Sequence, residues 1–217
     1  MFHPLQAALP LGRLAKLTAF REPMKKVERA EILPIGEYEL VRSHFRARVI
    51  AEKRARRVAV GDFLSAVFEN HDSVLLQIQE MLRTERITAE PAIAHEIETY
   101  NDLIPATDEL SFTLFVEIAD RETRERTLVD LAGLEQSVYI EVAGQRVPAT
   151  QKLPEAYMPT RTTAVHYFKA ALPAALAKAV RDGQTQVALG IDHPRLSLRK
   201  ELDGATRAAL AVDLSAA

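Results

Sequence analysis

The sequence predicts a single α+β domain in which an antiparallel β-sheet of about six to eight strands packs with helices, and three observations carry that reading. The hydrophobic period changes along the chain, from spacings of three and four in the first half to alternation in the second. Turn signals such as Gly61-Asp62 and Ala143-Gly144 separate short β-rich runs, as antiparallel hairpins require. No internal repeat or low-complexity linker divides residues 24–217.

Residues 1–23 stand apart, with Arg13, Lys16 and Arg21 against the single acid Glu22. Their apolar stretch is broken by Pro10, Arg13 and Lys16 and lacks a small-residue cleavage pattern. The segment therefore reads as a flexible leader, or as a mis-assigned start with Met24 as the functional one. From Glu37 to about Arg57, Tyr38, Val41, Phe45 and Val49 share one side of a helix and Arg42, Arg46, Lys53, Arg54 and Arg56 surround the rest. Arg57 to Glu69 reads as a hairpin around Gly61-Asp62. Asp72 is the expected N-cap of a second helix carrying Val74, Leu75, Ile78, Met81 and Leu82. A third helix begins near Thr88, tolerates Pro91 in its first turn, and turns Ile93, Ile97, Tyr100 and Ile104 inward.

Leu110, Phe112, Leu114, Val116 and Ile118 then alternate with Ser111, Thr113, Phe115 and Glu117, the pattern of a strand with one face on a core. A charged helix over Arg121–Leu131 precedes a hairpin in which Val138–Val142 returns through Ala143-Gly144-Gln145 to Arg146-Val147. Thr162–Lys169 and Thr185–Ile191 are strands around a short helix, Pro173–Arg181. A strand over Leu196–Leu202 and a helix over Ala205–Leu214 complete the chain.

The absence of cysteine removes disulfide scaffolds, thiolate zinc sites, cysteine-held iron–sulfur clusters and cysteine nucleophiles. No apolar run approaches the roughly 20 residues that cross a bilayer, so no membrane partner is expected. A net charge of −2 argues against a nucleic-acid binder. The composition is that of a soluble protein of a reduced compartment, the cytoplasm. Charge is segregated: residues 42–57 are strongly basic, whereas residues 69–109 hold ten acids against Arg83 and Arg86, a net of −8. Such runs are either solvated helix faces or a surface complementary to a charged partner.

Common catalytic templates are missing. There is no Gly-x-Ser-x-Gly, no Walker loop and no Gly-x-Gly-x-x-Gly among eight glycines, and no cofactor is evident. His166 and His193 read as packing and loop residues. His95, Glu98 and Asp102 fall at i, i+3 and i+7 on one outward helical stripe, a spacing that lets three hard or borderline ligands converge on a metal. Solvated surface residues produce the same pattern. Because the chain lacks Glu-x-x-His, it does not fit the carboxylate-bridged di-iron bundles.

A second cluster lies at the strand-to-helix junction, Glu69-Asn70-His71-Asp72, followed by Gln77-Ile78-Gln79-Glu80-Met81-Leu82-Arg83. Gln77, Glu80 and Thr84 share one stripe, Gln79 and Arg83 another. Such a junction presents orphan N–H groups and polar side chains to a ligand or partner. The same amides and carboxylates also suit a half-buried helix that must satisfy a sheet edge or a loop.

From Met24 onward the chain resembles an uncharacterised bacterial family, a domain of unknown function of many proteobacteria. The phrases that carry the resemblance are Ile35-Gly36-Glu37-Tyr38, Phe45-Arg46-Ala47-Arg48-Val49-Ile50, Arg57-Val58-Ala59-Val60-Gly61, Phe68-Glu69-Asn70, Gln77 to Arg83, and Thr99-Tyr100-Asn101-Asp102-Leu103-Ile104-Pro105. Genes of that family lie beside those for rubrerythrin, a di-iron peroxide scavenger, and a cysteine-rich iron–sulfur oxidoreductase. The resemblance therefore implies a partner role in a redox or peroxide-defence module, and it supplies no catalytic residues. The family phrases contain Glu69, Asn70, Gln77, Gln79, Glu80, Arg83, Tyr100 and Asn101, which become the candidate partner- or ligand-binding residues. Two functions follow: an accessory protein docking on a redox partner through residues 69–105, or a small metal-dependent or ligand-binding enzyme using Glu69, Glu80, His95 and Glu98.

Overall fold

The computed structural model describes residues 24–151 and 159–215; the expected leader, residues 1–23, lies outside them. Among the described residues six α-helices and eight strands form one α+β domain. None of these helices is long and apolar enough to cross a membrane.

The helix α1 (Ile35–Arg54) follows Pro34 and buries Tyr38, Val41, Phe45 and Val49, the stripe its sequence spacing predicts. The hairpin β1 (Arg57–Val60) and β2 (Leu64–Phe68) leads into α2 (His71–Thr84) and α3 (Glu90–Asn101), with Pro91 in the first turn of α3. The N-cap of α2 is Asn70, not Asp72. Asn70 Oδ1 accepts from Ser73 N–H at 2.9 Å while Ser73 Oγ accepts from Asn70 N–H at 3.0 Å. Asp72 sits within the first turn and pairs with Arg48 instead. The chain continues through β3 (Glu109–Val116), α4 (Arg121–Asp130), β4 (Val138–Val142), β5 (Gln145–Pro148), β6 (Val165–Ala171), α5 (Ala174–Arg181), β7 (Val187–His193), β8 (Leu196–Glu201) and α6 (Gly204–Ser215).

The one antiparallel sheet expected is two, with strand orders β1-β2-β3-β6 and β5-β4-β7-β8. Their edges meet. Thr150 and Lys169 exchange both backbone hydrogen bonds at 2.8 Å, joining the chain after β5 to β6. On the other side β8 lies against the β1–β2 turn, where Leu198 packs on Gly61, whose φ of +70° and crowded Cα both favour glycine. The strands thus run around one apolar core built on Phe68, Phe112, Leu114, Ile140 and Phe168. Phe112 lies 5.4 Å from each of the other two phenylalanine rings.

A second core lies between α1, α2 and α3, from Tyr38, Phe45, Leu75, Ile78, Leu82 and Ile93. The β3 strand was expected to bury one face, yet Ser111 and Thr113 are also buried. The outer face of its sheet is covered at β2 and over most of β3, and Thr113 reaches across to Glu69 just before α2. The C-terminal helix is latched back to the end of α1 by a buried ion pair, Arg56 with Asp213, in which Nη2 lies 2.8 Å from Oδ1. Burial pushes the Asp213 carboxyl up, against the pull of Arg56.

Candidate functional site

Most of the amide-and-carboxylate cluster is internal fastening. Glu69 is buried and accepts from Thr113 Oγ1 at 2.6 Å, from Ser73 Oγ, and from Gln77 Nε2 at 3.3 Å. Gln79 treats the backbone of Leu33 as a neighbouring strand would: its Oε1 accepts from Leu33 N–H at 2.8 Å and its Nε2 donates to the Leu33 carbonyl at 3.2 Å. Asn101 does the same for Val27, at 2.8 and 3.0 Å. Two buried amides thereby hold residues 27–33 over the helical core, where no strand exists to satisfy that backbone.

Glu80 accepts from the Tyr38 hydroxyl at 2.7 Å and from Arg42 Nε and Nη2, both at 2.8 Å. The Arg42 guanidinium holds the Glu80 carboxyl down to about 2, while burial, then the neighbouring carboxylate, push the Tyr38 phenol well up. Arg83 pairs with Glu39. These contacts fasten α1 to α2.

The metal stripe does not assemble. His95, Glu98 and Asp102 are exposed, and among the described residues no group of three or more His, Asp or Glu side chains could hold a metal ion. Glu69, Glu80, His95 and Glu98 likewise form no such group. His166 is buried against Phe168 at 5.7 Å, with Nε2 3.1 Å from Thr162 Oγ1 and Nδ1 3.2 Å from Gln151 Oε1; burial lowers its pKa. Nε2 of His193 faces the Ala132 carbonyl at 3.0 Å.

Tyr100 behaves differently from the other members of the cluster. It opens onto a cleft of about 560 Å³ where the end of α3 meets β3 and β6, together with Leu103, Ser111, Thr150, Gln151 and Tyr167. Asp102 and Lys169 belong also to a neighbouring cavity of about 430 Å³, walled by Lys25, Lys26, Asn101 and Pro105. Local structure explains the placement. Strand alternation turns His166 and Phe168 into the core and leaves Tyr167 and Lys169 on the outer face. The grip of Asn101 on Val27 fixes the end of α3, and with it Tyr100 and Leu103. Nζ of Lys169 is held by Glu109 at 2.9 Å and the Ile104 carbonyl at 3.2 Å. Tyr167 is 49% exposed. Burial raises the pKa of both cleft phenols, Tyr100 and Tyr167, so each keeps its O–H at neutral pH. Aromatic faces with phenol, hydroxyl and amide groups at their rim form a lining suited to binding.

Residues 26–214 match the model of a family described as protein of unknown function, DUF3501. The chain belongs to that family. It is also similar to a solved structure described as a novel protein of unknown function from Burkholderia pseudomallei K96243. The two share 31% identity with a TM-score of 0.81, over 88% of this chain and 100% of that one. A search of curated proteins gives no match.

In this DUF3501 chain the cleft draws on residues that the sequence clusters missed, namely Ser111, Thr150, Gln151, Tyr167 and Lys169. One was within reach: alternation around His166 and Phe168 already put an aromatic, Tyr167, on the outer face of a strand. The approach of residues 150 and 151 to β6 depends on the meeting of two sheets, which no local pattern encodes.

Proposed function

We propose that this DUF3501 protein is a non-catalytic accessory protein that docks on a redox partner through the cleft between Tyr100 and Tyr167, with rubrerythrin or the iron–sulfur oxidoreductase as that partner. The observation that carries the reading is that Thr99-Tyr100-Asn101-Asp102-Leu103-Ile104-Pro105, one of the phrases of the family resemblance, supplies a wall to both cavities. Tyrosine offers large contact area with only two side-chain torsions to freeze, and it dominates the energetics of protein interfaces. In this reading Glu69, Asn70, Gln77, Gln79, Glu80, Arg83 and Asn101 are positioning residues that keep α2 and α3 in place behind the cleft. The metal-dependent enzyme is not proposed, since its carboxylates and histidine form no common site.

The test is co-elution and calorimetry of the purified full chain with each candidate partner under reducing conditions. Binding to one of them is expected, weakened at least tenfold by Tyr100→Ala and by Tyr167→Ala with thermal unfolding nearly unchanged. No association with either partner at tens of micromolar sinks the proposal, as does binding indifferent to both substitutions.

A further inference from the structure

The charge around the Tyr100–Tyr167 cleft is one-sided. Glu96 lies one turn before Tyr100 on α3, and the two are half-buried on the same helical stripe. After burial and the Tyr167 phenol, the groups that push the Tyr100 phenol up are Glu96 and Glu85, both acids. Asp102 is part of the cleft wall. Among the described residues the carboxylates of Glu85, Glu96 and Asp102 have no ion-pair or hydrogen-bond partner. Lys169, the basic residue of the lining, is already answered: its Nζ lies 2.9 Å from Glu109 and 3.2 Å from the Ile104 carbonyl. In the neighbouring cavity Lys25 pairs with Glu28, which leaves the exposed Lys26 against three free carboxylates. The rings are bare as well. Elsewhere Arg48, Arg57 and Arg146 lie over Phe45, Phe115 and Tyr139, at 5.4, 5.8 and 4.3 Å from the ring centroids. Among the described residues no cation lies over Tyr100 or Tyr167.

We propose that the cleft receives an arginine side chain borne on a basic segment of the docking partner, its guanidinium against the Tyr100 and Tyr167 rings and turned toward Glu85, Glu96 and Asp102. The assignment rests on the cleft being the docking site and names the chemistry that site selects. An acidic segment is repelled here, and an apolar one covers the free carboxylates without compensation. A cation answers both the carboxylates and the negative faces of the two rings. Arginine suits the lining better than lysine, because its plane stacks on aromatic faces, it is less tightly hydrated, and its several N–H donors can reach the hydroxyls of Ser111 and Thr150 at the rim. Complementarity of this kind speeds the encounter with a basic segment and makes it salt-sensitive.

The test titrates the full chain with acetyl-Leu-Arg-Leu-amide and with its citrulline counterpart, which keeps the shape and loses the charge, following the tyrosine ring protons by NMR. The arginine peptide should bind with a millimolar Kd or better, at least fivefold tighter than the citrulline peptide, and shift the Tyr100 and Tyr167 signals. E85Q/E96Q, confirmed to unfold like the parent, should remove most of that preference. No binding up to about 10 mM overturns the proposal, as does equal binding of the two peptides or a preference that E85Q/E96Q leaves intact. A tenfold gain in affinity in R13Q/K16Q/R21Q would give the cleft to the chain's own basic residues instead of a partner, and so overturn it too. The docking reading is separable. A redox protein that co-elutes yet binds E85Q/E96Q as tightly as the parent overturns the arginine contact alone. Preference for the arginine peptide without co-elution of rubrerythrin or the iron–sulfur oxidoreductase upholds the contact and removes only those two as the partner.

Discussion

Glu80 binds three donors with one carboxylate, and that gives it a pH-dependent share in stability. Its folded pKa is about 2 against an ordinary 4.5. The contribution is therefore complete above the ordinary value and is lost as pH falls through the folded one. Glu80→Gln should cost about 1–3 kcal/mol at pH 7, with the gap to the parent narrowing steadily as pH approaches 2. Urea unfolding at pH 7 and pH 3 measures this, and an equal gap at the two would refute it. The amides make a sharper case. Gln79→Ala or Asn101→Ala strands a buried N–H and a buried carbonyl of Leu33 or Val27, at about 2–3 kcal/mol each. Hydrogen exchange at the Leu33 or Val27 amide should accelerate in the matching variant, while the Phe112 amide in the other core changes far less.

At the scale of elements, the legible and the hidden divide along the range of the interaction. The inward stripe of α1 and the turn at Gly61-Asp62 depend on spacing within one segment, and they were readable. The N-cap of α2 was misplaced by two residues because Asn70 and Asp72 are both competent caps. What decides between them is where β2 ends and Glu69 turns toward Thr113, a contact across 44 residues. The chemistry of Gln79 and Asn101 was equally visible, but their target was not, since nothing local says that residues 27 and 33 lie across α2 and α3. Sheet assignment shows the same limit. Gly190 lies opposite Tyr139, and a Cβ there would fall 2.1 Å from Tyr139 Cζ, so the ring covers the glycine with the Arg146 guanidinium 4.3 Å above it. Gly190→Ala should displace that ring and cost about 1–3 kcal/mol, read as a lower denaturation midpoint and a changed tyrosine fluorescence.

Across the whole molecule, two apolar cores share one chain, the helical one in the first half and the strand-lined one spanning the rest. The change of hydrophobic period in the sequence marks that division. What it did not convey is that β1 and β2 belong to the second core while the helices on either side of them in sequence belong to the first. Arg56 and Asp213 tie the end of α1 to the C-terminal helix across that division. Asp213→Ala leaves the guanidinium buried and uncompensated and should cost about 3–5 kcal/mol. The double change Arg56→Met with Asp213→Leu should recover most of it, because an apolar pair needs no mutual compensation. Equal losses in the single and double variants, measured by chemical unfolding, would show that the pair matters for its volume alone.

The same tie has a consequence for biosynthesis. Asp213 leaves the ribosome 157 residues after Arg56, so while the intervening chain is made Arg56 has no counter-ion and stays hydrated at the surface of an unfinished helical half. Sealing of that boundary waits for the helix that carries Asp213, which makes the nascent protein a substrate for folding helpers until that helix arrives.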